Sequence, residues 1–366
     1  MTDVFVIGGG PAGLAAAIAA RRRGLSVAVA DGSEPPIDKA CGEGLMPEAR
    51  RALSDLGVQL TPGVGYHFRG IRFLQGQTQV AADFPEGRGI GLRRTLLHQA
   101  LLDEAQRCGV KLLWKTPVVG IDKYHVRLST GSMPARWIVG ADGSQSRVRR
   151  WSELDSSVTN SHRFASRRHY YVRPWNDFME IHWGPRIQAY VTPISSEEVC
   201  IVVMGETTED ADFERALPLF PQLRDRLSGA EIASRERGAV TAMQSLARVW
   251  RGNVALVGDA SGGVDAITGE GLRLAFRQAQ ALAASIEAGD LQNYGRVHAQ
   301  IARKPLWIGK LMRKFGQYDL LRQRTLRVLA RDPELFSRFL AIHVGRATTS
   351  NVVSTGAQLG WQFLAS

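Results

Sequence analysis

Three short motifs rich in glycine and aspartate stand far apart in the chain, and each offers groups that can hold a phosphate or a hydroxyl. Glycine turns present backbone N–H groups to an anion, and aspartate accepts hydrogen bonds from sugar hydroxyls. The motifs are Gly8-Gly9-Gly10-Pro11-Ala12-Gly13, Ala141-Asp142-Gly143-Ser144-Gln145-Ser146-Arg147, and Gly258-Asp259-Ala260-Ser261-Gly262 with Thr268-Gly269-Glu270-Gly271. We expect these segments to converge on one long ligand.

The first motif has the spacing of a dinucleotide-binding turn between a strand and a helix. Gly8 permits the tight turn, Gly10 lets the backbone approach a pyrophosphate, and Gly13 lets the helix pack close to the strand. The helix N-terminus adds partial positive charge. Asp31, at the end of the next predicted strand, can accept hydrogen bonds from a ribose. The motif predicts a dinucleotide and does not distinguish FAD from NAD.

The second motif, continued as Ser146-Arg147-Val148-Arg149, resembles the Asp-Gly motif of the flavoprotein hydroxylases typified by p-hydroxybenzoate hydroxylase. In that family this region lies where FAD and NAD(P)H approach each other. The resemblance therefore implies FAD as the bound cofactor and NAD(P)H as the hydride donor. The third motif resembles the same superfamily, in which the aspartate at the position of Asp259 binds the ribityl chain.

Further contacts with FAD are expected beside these motifs. Asp259 ends an apolar strand, so its carboxylate is predicted to be buried and to need hydroxyl or N–H partners. Arg93 and Arg94 resemble the helix start from which an arginine of the superfamily contacts FAD, and either could do so. The predicted FAD-contacting residues are Gly8, Gly10, Pro11, Ala12, Gly13, Asp31, Arg93, Arg94, Asp142, Gly143, Gly258, Asp259, Gly269, Glu270 and Gly271.

The reaction type is left open between branches of this superfamily. We favour an NAD(P)H-dependent monooxygenase that acts on an aromatic or polyketide-like molecule through a flavin C4a-hydroperoxide. Two segments, Thr268-Gly269-Glu270-Gly271 and Lys39-Ala40-Cys41-Gly42-Glu43-Gly44-Leu45, instead resemble the geranylgeranyl reductase group, which implies reduction of prenyl or other C=C bonds. A flavin halogenase is a more distant alternative, because the Trp-x-Trp pattern typical of that group is absent from the chain. A non-catalytic, membrane-associated flavin-binding protein is another.

Catalytic residues cannot be assigned from the sequence, and four are named as candidates. Cys41 and Glu43 lie in the glycine-containing loop, where the thiol could face the flavin or be a small buried side chain. His182 and Tyr190 lie on predicted strands, as do His169, Tyr170 and Tyr171, and such residues more often serve packing. The three cysteines are far apart and form no Cys-x-x-Cys, so no disulfide framework and no metal site are expected.

The predicted fold class is α/β: a Rossmann-like FAD-binding domain of the glutathione reductase type, interrupted by an antiparallel-sheet substrate domain and followed by a helical C-terminus. A β-α-β unit opens the chain, and aromatic or β-branched runs separated by turn residues fill 160–245. We assign residues 1–60, 90–160 and 245–300 to the FAD-binding domain. Residues 61–89 and 161–244 form the substrate domain, and 301–366 form the helical region.

Charge and composition restrict the classes of ligand and partner that we expect this protein to bind. The formal net charge of +11 suits anionic ligands such as FAD and NAD(P)H, whereas the spread of the basic residues and the lack of nucleic-acid motifs argue against nucleic acid. A small-molecule substrate is expected, aromatic, polyketide-like or isoprenoid. The chain has no signal peptide and no run of 18 apolar residues, which predicts a cytoplasmic protein without a transmembrane segment.

Basic charge concentrates in residues 301–350, with eleven Lys or Arg against three acidic residues. Apolar residues such as Leu306, Leu311 and Phe315 alternate there with Lys310 and Lys314. This pattern fits a peripheral contact with anionic lipid or, in the interpretation that we prefer here, a terminal helix that packs its apolar side on the core.

Overall fold

The structure is a computed structural model that describes residues 1–155 and 157–345, together with Thr355 and Gln358. The strands in chain order are β1 (Thr2–Ile7), β2 (Val27–Ala30), β3 (Gly44–Leu45), β4 (Tyr66–Phe68), β5 (Gly70–Gln75), β6 (Thr78–Asp83), β7 (Gly89–Gly91), β8 (Lys111–Leu113), β9 (Val118–Asp122), β10 (His125–Leu128), β11 (Gly131–Gly140), β12 (Ser157–Tyr171), β13 (Phe178–Trp183), β14 (Gln188–Pro193), β15 (Glu198–Gly205), β16 (Glu231–Ile232), β17 (Arg237–Leu246), β18 (Trp250–Arg251) and β19 (Val254–Leu256). The helices are α1 (Pro11–Arg21), α2 (Pro47–Asp55), α3 (Arg94–Arg107), α4 (Arg147–Trp151), α5 (Phe213–Ala216), α6 (Pro221–Leu227), α7 (Gly271–Glu287), α8 (Leu291–Gln317), α9 (Asp319–Arg331) and α10 (Pro333–His343).

The first sheet has the order β18-β19-β11-β1-β2-β8, with β9 and β10 attached beside β11. Its centre is parallel, since β1 pairs in parallel with both β2 and β11, and β11 does so with β19. The short strands β1 and β2 are almost wholly apolar and buried, as expected for strands covered on both faces. Helices α1, α3 and α7 form one covering layer, where the alanines of α1 permit close packing.

The second sheet has the order β16-β12-β15-β14-β13-β5-β6, and β17 pairs with β12. It is antiparallel as predicted, except that β5 runs parallel to β13. One face packs against α9 and α10, and the other is covered by α5 and α6, which the sequence did not predict. A small third sheet, β3-β7-β4, is formed by strands that flank β5 and β6 in the chain. The division of the chain into domains stays a prediction.

The chain after α7 is helical, as predicted, through the described residues up to 345. Asp332 caps α10 by accepting a hydrogen bond from the N–H of Leu335, and Pro333 occupies the first turn. The prediction for 346–366 falls largely outside the described residues. Within the described part of the chain, no helix is both long and apolar enough to cross a bilayer.

Candidate functional site

A cavity of about 630 Å³ lies where the carboxyl ends of the parallel strands face the second sheet. Gly8 follows β1, Asp31 follows β2, Asp142 follows β11, and Gly258 comes shortly after β19; all four line this cavity. Parallel strands bring their carboxyl ends to one edge of a sheet, where ligands of such folds bind. The motifs that are far apart in sequence therefore converge in the structure.

The first glycine motif is built as its spacing predicted. A Cβ atom on Gly13 would lie 1.8 Å from the carbonyl oxygen of Gly8, so only glycine allows this helix–strand approach. A Cβ atom on Gly10 would meet nothing within 4 Å, because this position opens onto the cavity. Asp31 accepts hydrogen bonds from the N–H groups of Gly9 and Ser33, each at 2.7 Å, which fixes its carboxylate beside the turn.

His98 on α3 supports the same turn, although no sequence motif indicated this role. Its Nε2 lies 2.9 Å from the carbonyl oxygen of Gly9 and is positioned to donate a hydrogen bond. Burial lowers the pKa of His98, which favours the neutral ring. The contact spans 89 residues, so only the tertiary structure reveals that α3 buttresses the glycine turn.

The Asp142 carboxylate organises the second motif rather than standing free. It accepts hydrogen bonds from the Ser146 hydroxyl at 2.5 Å and from the N–H groups of Arg147 at 2.7 Å and Val148 at 3.1 Å. Ser146 in turn caps α4 by accepting from the N–H of Arg149 at 2.9 Å. The Ser-Arg-Val-Arg extension thus has a structural reason: it closes the Asp-Gly turn and presents the backbone at Gly143 to the cavity.

The expectation of a buried Asp259 is wrong. Its side chain is 56% exposed, and Lys39 Nζ lies 3.8 Å from its carboxylate across the cavity mouth. The turn that carries Asp259 is held instead by Gly258, whose N–H donates to the Gln278 side chain at 2.9 Å. The strand ends before Gly258, and the following 3₁₀ turn points the carboxylate into open space, where it lines the cavity and can meet a ligand.

The segment around the start of α7 contains three of the predicted FAD-contacting residues, and the structure places two of them at the cavity. Gly269 has a left-handed backbone with φ of 63° and, like Gly271, lines the cavity. Glu270 between them is buried, pairs with Arg273 and approaches His343 at 3.8 Å. The side chain of Glu270 therefore does not line the cavity, in contrast to the expectation, because its charge is neutralised within the helical layer.

The two arginines at the start of α3 have different surroundings. Arg93 forms a bidentate ion pair with Glu198 at 2.9 and 3.0 Å, and its side chain does not line the cavity. Arg94 does line the cavity, and its buried Nε has no hydrogen-bond partner among the described residues. A buried N–H without a partner is costly, so the geometry selects Arg94 as the arginine available to a ligand.

Glu43 is the centre of a buried polar cluster at the wall of the cavity. Its carboxylate accepts hydrogen bonds from the N–H of Arg94 at 2.9 Å and from Arg167 Nη1 at 2.9 Å, and it lies 2.6 Å from His169 Nε2. Its φ of 59° is unusual for a residue with a side chain and indicates a constrained loop. His169 Nδ1 lies 2.7 Å from the Ser234 hydroxyl, so this cluster reaches a partly exposed residue.

Glu43, His169 and Cys200 place three potential metal ligands within 4.8 Å of one another. The guanidinium of Arg167 already forms an ion pair with the Glu43 carboxylate at 2.9 Å, and burial raises the pKa of the Cys200 thiol. A fixed cation and a protonated thiol disfavour a divalent metal there. We therefore interpret the cluster as an ion-pair and hydrogen-bond network.

The structure separates the four catalytic candidates. Cys41 and Glu43 line the cavity, as does Tyr190, whose hydroxyl donates to the Gln188 side chain at 2.8 Å. Burial raises the pKa of Tyr190, which makes it a weak acid. His182 does not line the cavity. Strand alternation turns it to the opposite face of the second sheet, where it bonds Glu180 at 2.9 Å.

The site fits FAD by its own geometry. Its volume suits a large ligand, glycine backbone faces it near Gly10 and Gly271, and Arg94 offers an unpaired buried N–H. A family described as FAD binding domain matches residues 1–289, and the chain belongs to this family. The protein is thus a flavoprotein of the FAD-dependent oxidoreductases, in the superfamily of flavoprotein hydroxylases and geranylgeranyl reductases.

Among curated proteins, the chain is similar to the menaquinone reductase of Mycobacterium tuberculosis, with 27% identity over 365 residues, 92% of this chain and 85% of that protein. It is also similar to digeranylgeranylglycerophospholipid reductase 3 of Methanosphaera stadtmanae, with 26% identity over 347 residues, 87% of this chain and 86% of that protein.

Among solved structures, a flavin-dependent brominase matches with a TM-score of 0.81 and 17% identity over 99% of both chains. The 2-methyl-3-hydroxypyridine-5-carboxylic acid oxygenase matches with 0.74 and 22%, covering 91% of this chain and 97% of that chain. A geranylgeranyl bacteriochlorophyll reductase-like protein of Thermoplasma acidophilum matches with 0.73 and 19%, covering 100% and 98%. These likenesses show a shared fold and do not separate oxygenation from reduction.

Proposed function

We propose that this protein is an FAD-dependent reductase that saturates a carbon–carbon double bond in an isoprenoid chain, with NAD(P)H as the hydride donor. The observation that carries the proposal is the chemistry of the cavity wall opposite the glycine motifs. The second sheet contributes mainly apolar side chains to this wall, among them Met179, Val202, Met204 and Val240, and its one titratable group there is Tyr190. Such a wall suits a hydrocarbon better than an anionic or strongly polar substrate.

Reduction of an alkene requires a hydride on one carbon and a proton on the other. FAD, when bound, supplies the hydride chemistry by accepting a hydride from NAD(P)H and passing one to the substrate. The proton must come from the protein or from water. Glu43 and His169 form a hydrogen-bonded pair that connects the cavity wall to Ser234, and Cys41 lies in the same loop as Glu43. We assign proton supply to this side of the cavity.

The residues of the motifs would hold the cofactor. Gly8, Gly10 and the N-terminus of α1 would take the pyrophosphate, and Asp31 the ribose. Asp259 would meet the ribityl chain. The names of the relatives support the substrate class, because both the menaquinone reductase and the digeranylgeranylglycerophospholipid reductase act on molecules with isoprenoid chains.

Monooxygenation, which the sequence favoured, remains the second candidate. The Asp142-Gly143 turn and the likeness to a pyridine-ring oxygenase support it. The apolar wall weighs against monooxygenation, because the described residues of the second sheet offer the cavity no charged side chain that could hold an anionic aromatic ring. We therefore propose reduction of a carbon–carbon double bond ahead of monooxygenation.

Product analysis in the presence and absence of oxygen tests the proposal. Purified protein with bound FAD is incubated with NADH or NADPH and with menaquinone or a digeranylgeranyl glycerolipid, and the products are weighed by mass spectrometry. A gain of two hydrogen atoms in the isoprenoid chain under anaerobic conditions, retained after air has re-oxidised any quinol to the quinone, supports the reductase. Incorporation of an oxygen atom from O₂, with no product under anaerobic conditions, would establish the monooxygenase instead.

A further inference from the structure

Exposed apolar side chains concentrate at the junction of α8 and α9. Five of the thirteen large apolar side chains that are exposed in the described chain lie within the fifteen residues from 307 to 321, each between 41% and 81% exposed. They are Trp307, Leu311, Tyr318, Leu320 and Leu321, which we call the α8–α9 surface. A contiguous exposed apolar patch on a protein surface indicates a binding partner.

Trp307 and Leu311 of this surface belong to α8, whose other side packs against the rest of the protein. Trp307 and Leu311 are four residues apart, so they lie along one stripe of α8, and Tyr318 follows directly after the last residue of this helix. The opposite stripe is buried: Gly309 lies against Asp265 and Thr268, and other residues of this stripe pack on the second sheet. Ile308, Met312 and Phe315 face the core, as the preferred interpretation of the sequence expects, and the exposed stripe is additional to that packing.

Basic side chains frame the apolar stripe. Lys310 and Lys314 are exposed three and seven residues after Trp307, which places them along its edge. No described acidic side chain pairs with either lysine. The nearby Asp319 is already paired with Arg322 at 2.6 Å. Positive charge beside the apolar residues is thus uncompensated and faces the solvent.

We propose that the α8–α9 surface binds an anionic lipid bilayer, with Trp307, Leu311 and Leu320 entering the interface and Lys310 and Lys314 contacting lipid phosphates. Tryptophan and tyrosine prefer the headgroup level of a bilayer, and lysines beside an apolar face are attracted to anionic lipids. A protein partner with an acidic rim would need a defined shape to match, whereas a bilayer accepts a convex helical corner. This inference holds whichever reaction the flavin site performs.

The position of this surface has a consequence for the site. The inner side of α8 contacts Asp265 and Thr268, which flank the cavity-lining Ala266, and Gly316 approaches the Gln188 amide that bonds Tyr190. The helix that would rest on the bilayer thus forms part of the support for the cavity wall.

Co-sedimentation with vesicles tests the proposal on the full-length protein with bound FAD. Vesicles of equal phosphatidylglycerol and phosphatidylcholine are compared with phosphatidylcholine alone. We expect binding to the anionic vesicles that weakens as salt is raised. Each of two variants, Trp307→Ser with Leu320→Ser and Lys310→Glu with Lys314→Glu, should lower the partition coefficient by about tenfold or more.

The matched control replaces exposed residues far from this surface. Val119→Ser with Tyr124→Ser removes two exposed apolar side chains, and Lys111→Glu with Lys123→Glu reverses two exposed charges. These controls should bind vesicles like the wild type, and flavin absorbance and melting temperature verify that every variant is folded. Three results would overturn the proposal: no binding to anionic vesicles, equal binding by the surface variants and the controls, or loss of self-association as the variants' main effect in sedimentation velocity.

Discussion

Oε2 of Glu43 lies 2.6 Å from Nε2 of His169, although 126 residues separate them. Glu43 belongs to the loop before β3, and His169 to strand β12 of the second sheet. Their contact ties the cavity-lining loop to that sheet. Arg167, two residues before His169 on β12, holds the other carboxylate oxygen at 2.9 Å.

Removing the charge of Glu43 should destabilise the protein. Glu43→Gln leaves the buried Arg167 with only Asp38, at 3.0 and 3.1 Å, as its charged partner. We expect the free energy of unfolding to fall by about 1–3 kcal/mol, measured by urea denaturation. Glu197→Gln is the control, because its pair with Arg173 is exposed and 3.5 Å long, and it should change stability by less than about 0.5 kcal/mol. Equal effects would contradict the role of burial.

His169→Asn tests the assignment of proton supply. The variant breaks the path from Ser234 to Glu43, so steady-state alkene reduction should fall by about tenfold to a hundredfold. Bleaching of the flavin by NAD(P)H in stopped flow should stay within about twofold, because that step takes no proton from this side. If both rates fall together, His169 positions the cofactor instead and the assignment fails.

Arg94 and Arg93 should separate cofactor binding from stability. Arg94→Met removes the guanidinium that lines the cavity, and we expect FAD affinity to fall by at least about tenfold. Arg93→Met should retain FAD but lower the melting temperature, because Glu198 loses its bidentate partner. FAD titration of the apoprotein and thermal unfolding measure the two effects. The reverse pattern would show that Arg93 is the arginine that serves the cofactor.

Alanine at the two glycines of the first motif should have opposite effects. Gly13→Ala places a Cβ atom 1.8 Å from a backbone oxygen, so we expect a loss of at least about 3 kcal/mol of stability, or no folded protein. Gly10→Ala meets no protein atom within 4 Å and should fold normally, but its methyl group enters the space proposed for the pyrophosphate. Circular dichroism and FAD titration distinguish them, and full FAD affinity in Gly10→Ala would move the pyrophosphate elsewhere.

His298 should make stability depend on pH. Burial lowers the pKa of His298 to about 4, and its Nε2 lies 2.9 Å from the Ser261 hydroxyl behind the Asp259 turn. The unfolded chain, with a histidine pKa near 6.5, takes up the proton first as pH falls. Stability is therefore complete above about pH 6.5 and should decline by about 2 kcal/mol between pH 7 and pH 5.

His298→Asn should flatten that decline in urea denaturation across the same pH range. The exposed His125→Gln provides the control and should leave the slope of the wild type unchanged. A wild-type slope that survives in His298→Asn would place the titrating group elsewhere, with the buried His98 as the next candidate because burial also lowers its pKa.

Much of the cofactor side could be predicted from the sequence, because its signals are local. Gly8, Gly10 and Gly13 are needed because of close approaches within one turn of the backbone or to a ligand. The apolar run of β1 indicates a strand buried on both faces. The start of α3 at Arg94 agrees with the helix start that the sequence indicated at Arg93 and Arg94. Those features depend on neighbours a few residues away.

The orientation of individual side chains could not be predicted in this way. Arg93 and Arg94 are equivalent as sequence, and the choice between them depends on Glu198, which arrives from β15. His182 and Tyr190 both lie on strands, and their opposite faces depend on which side of the sheet meets α5 and α6. Exposure of Asp259 follows from where β19 ends relative to the cavity.

The sequence by itself determined the class of the protein, the turns that can face a dinucleotide and the order of the helices and strands around them. Tertiary structure alone decided which charged groups are neutralised and which stay available, as with Glu43, Arg167 and His169 or with the exposed lysines of α8. The physical reason is range: backbone conformation is set by sterics between near neighbours, whereas burial and charge pairing depend on partners a hundred or more residues away.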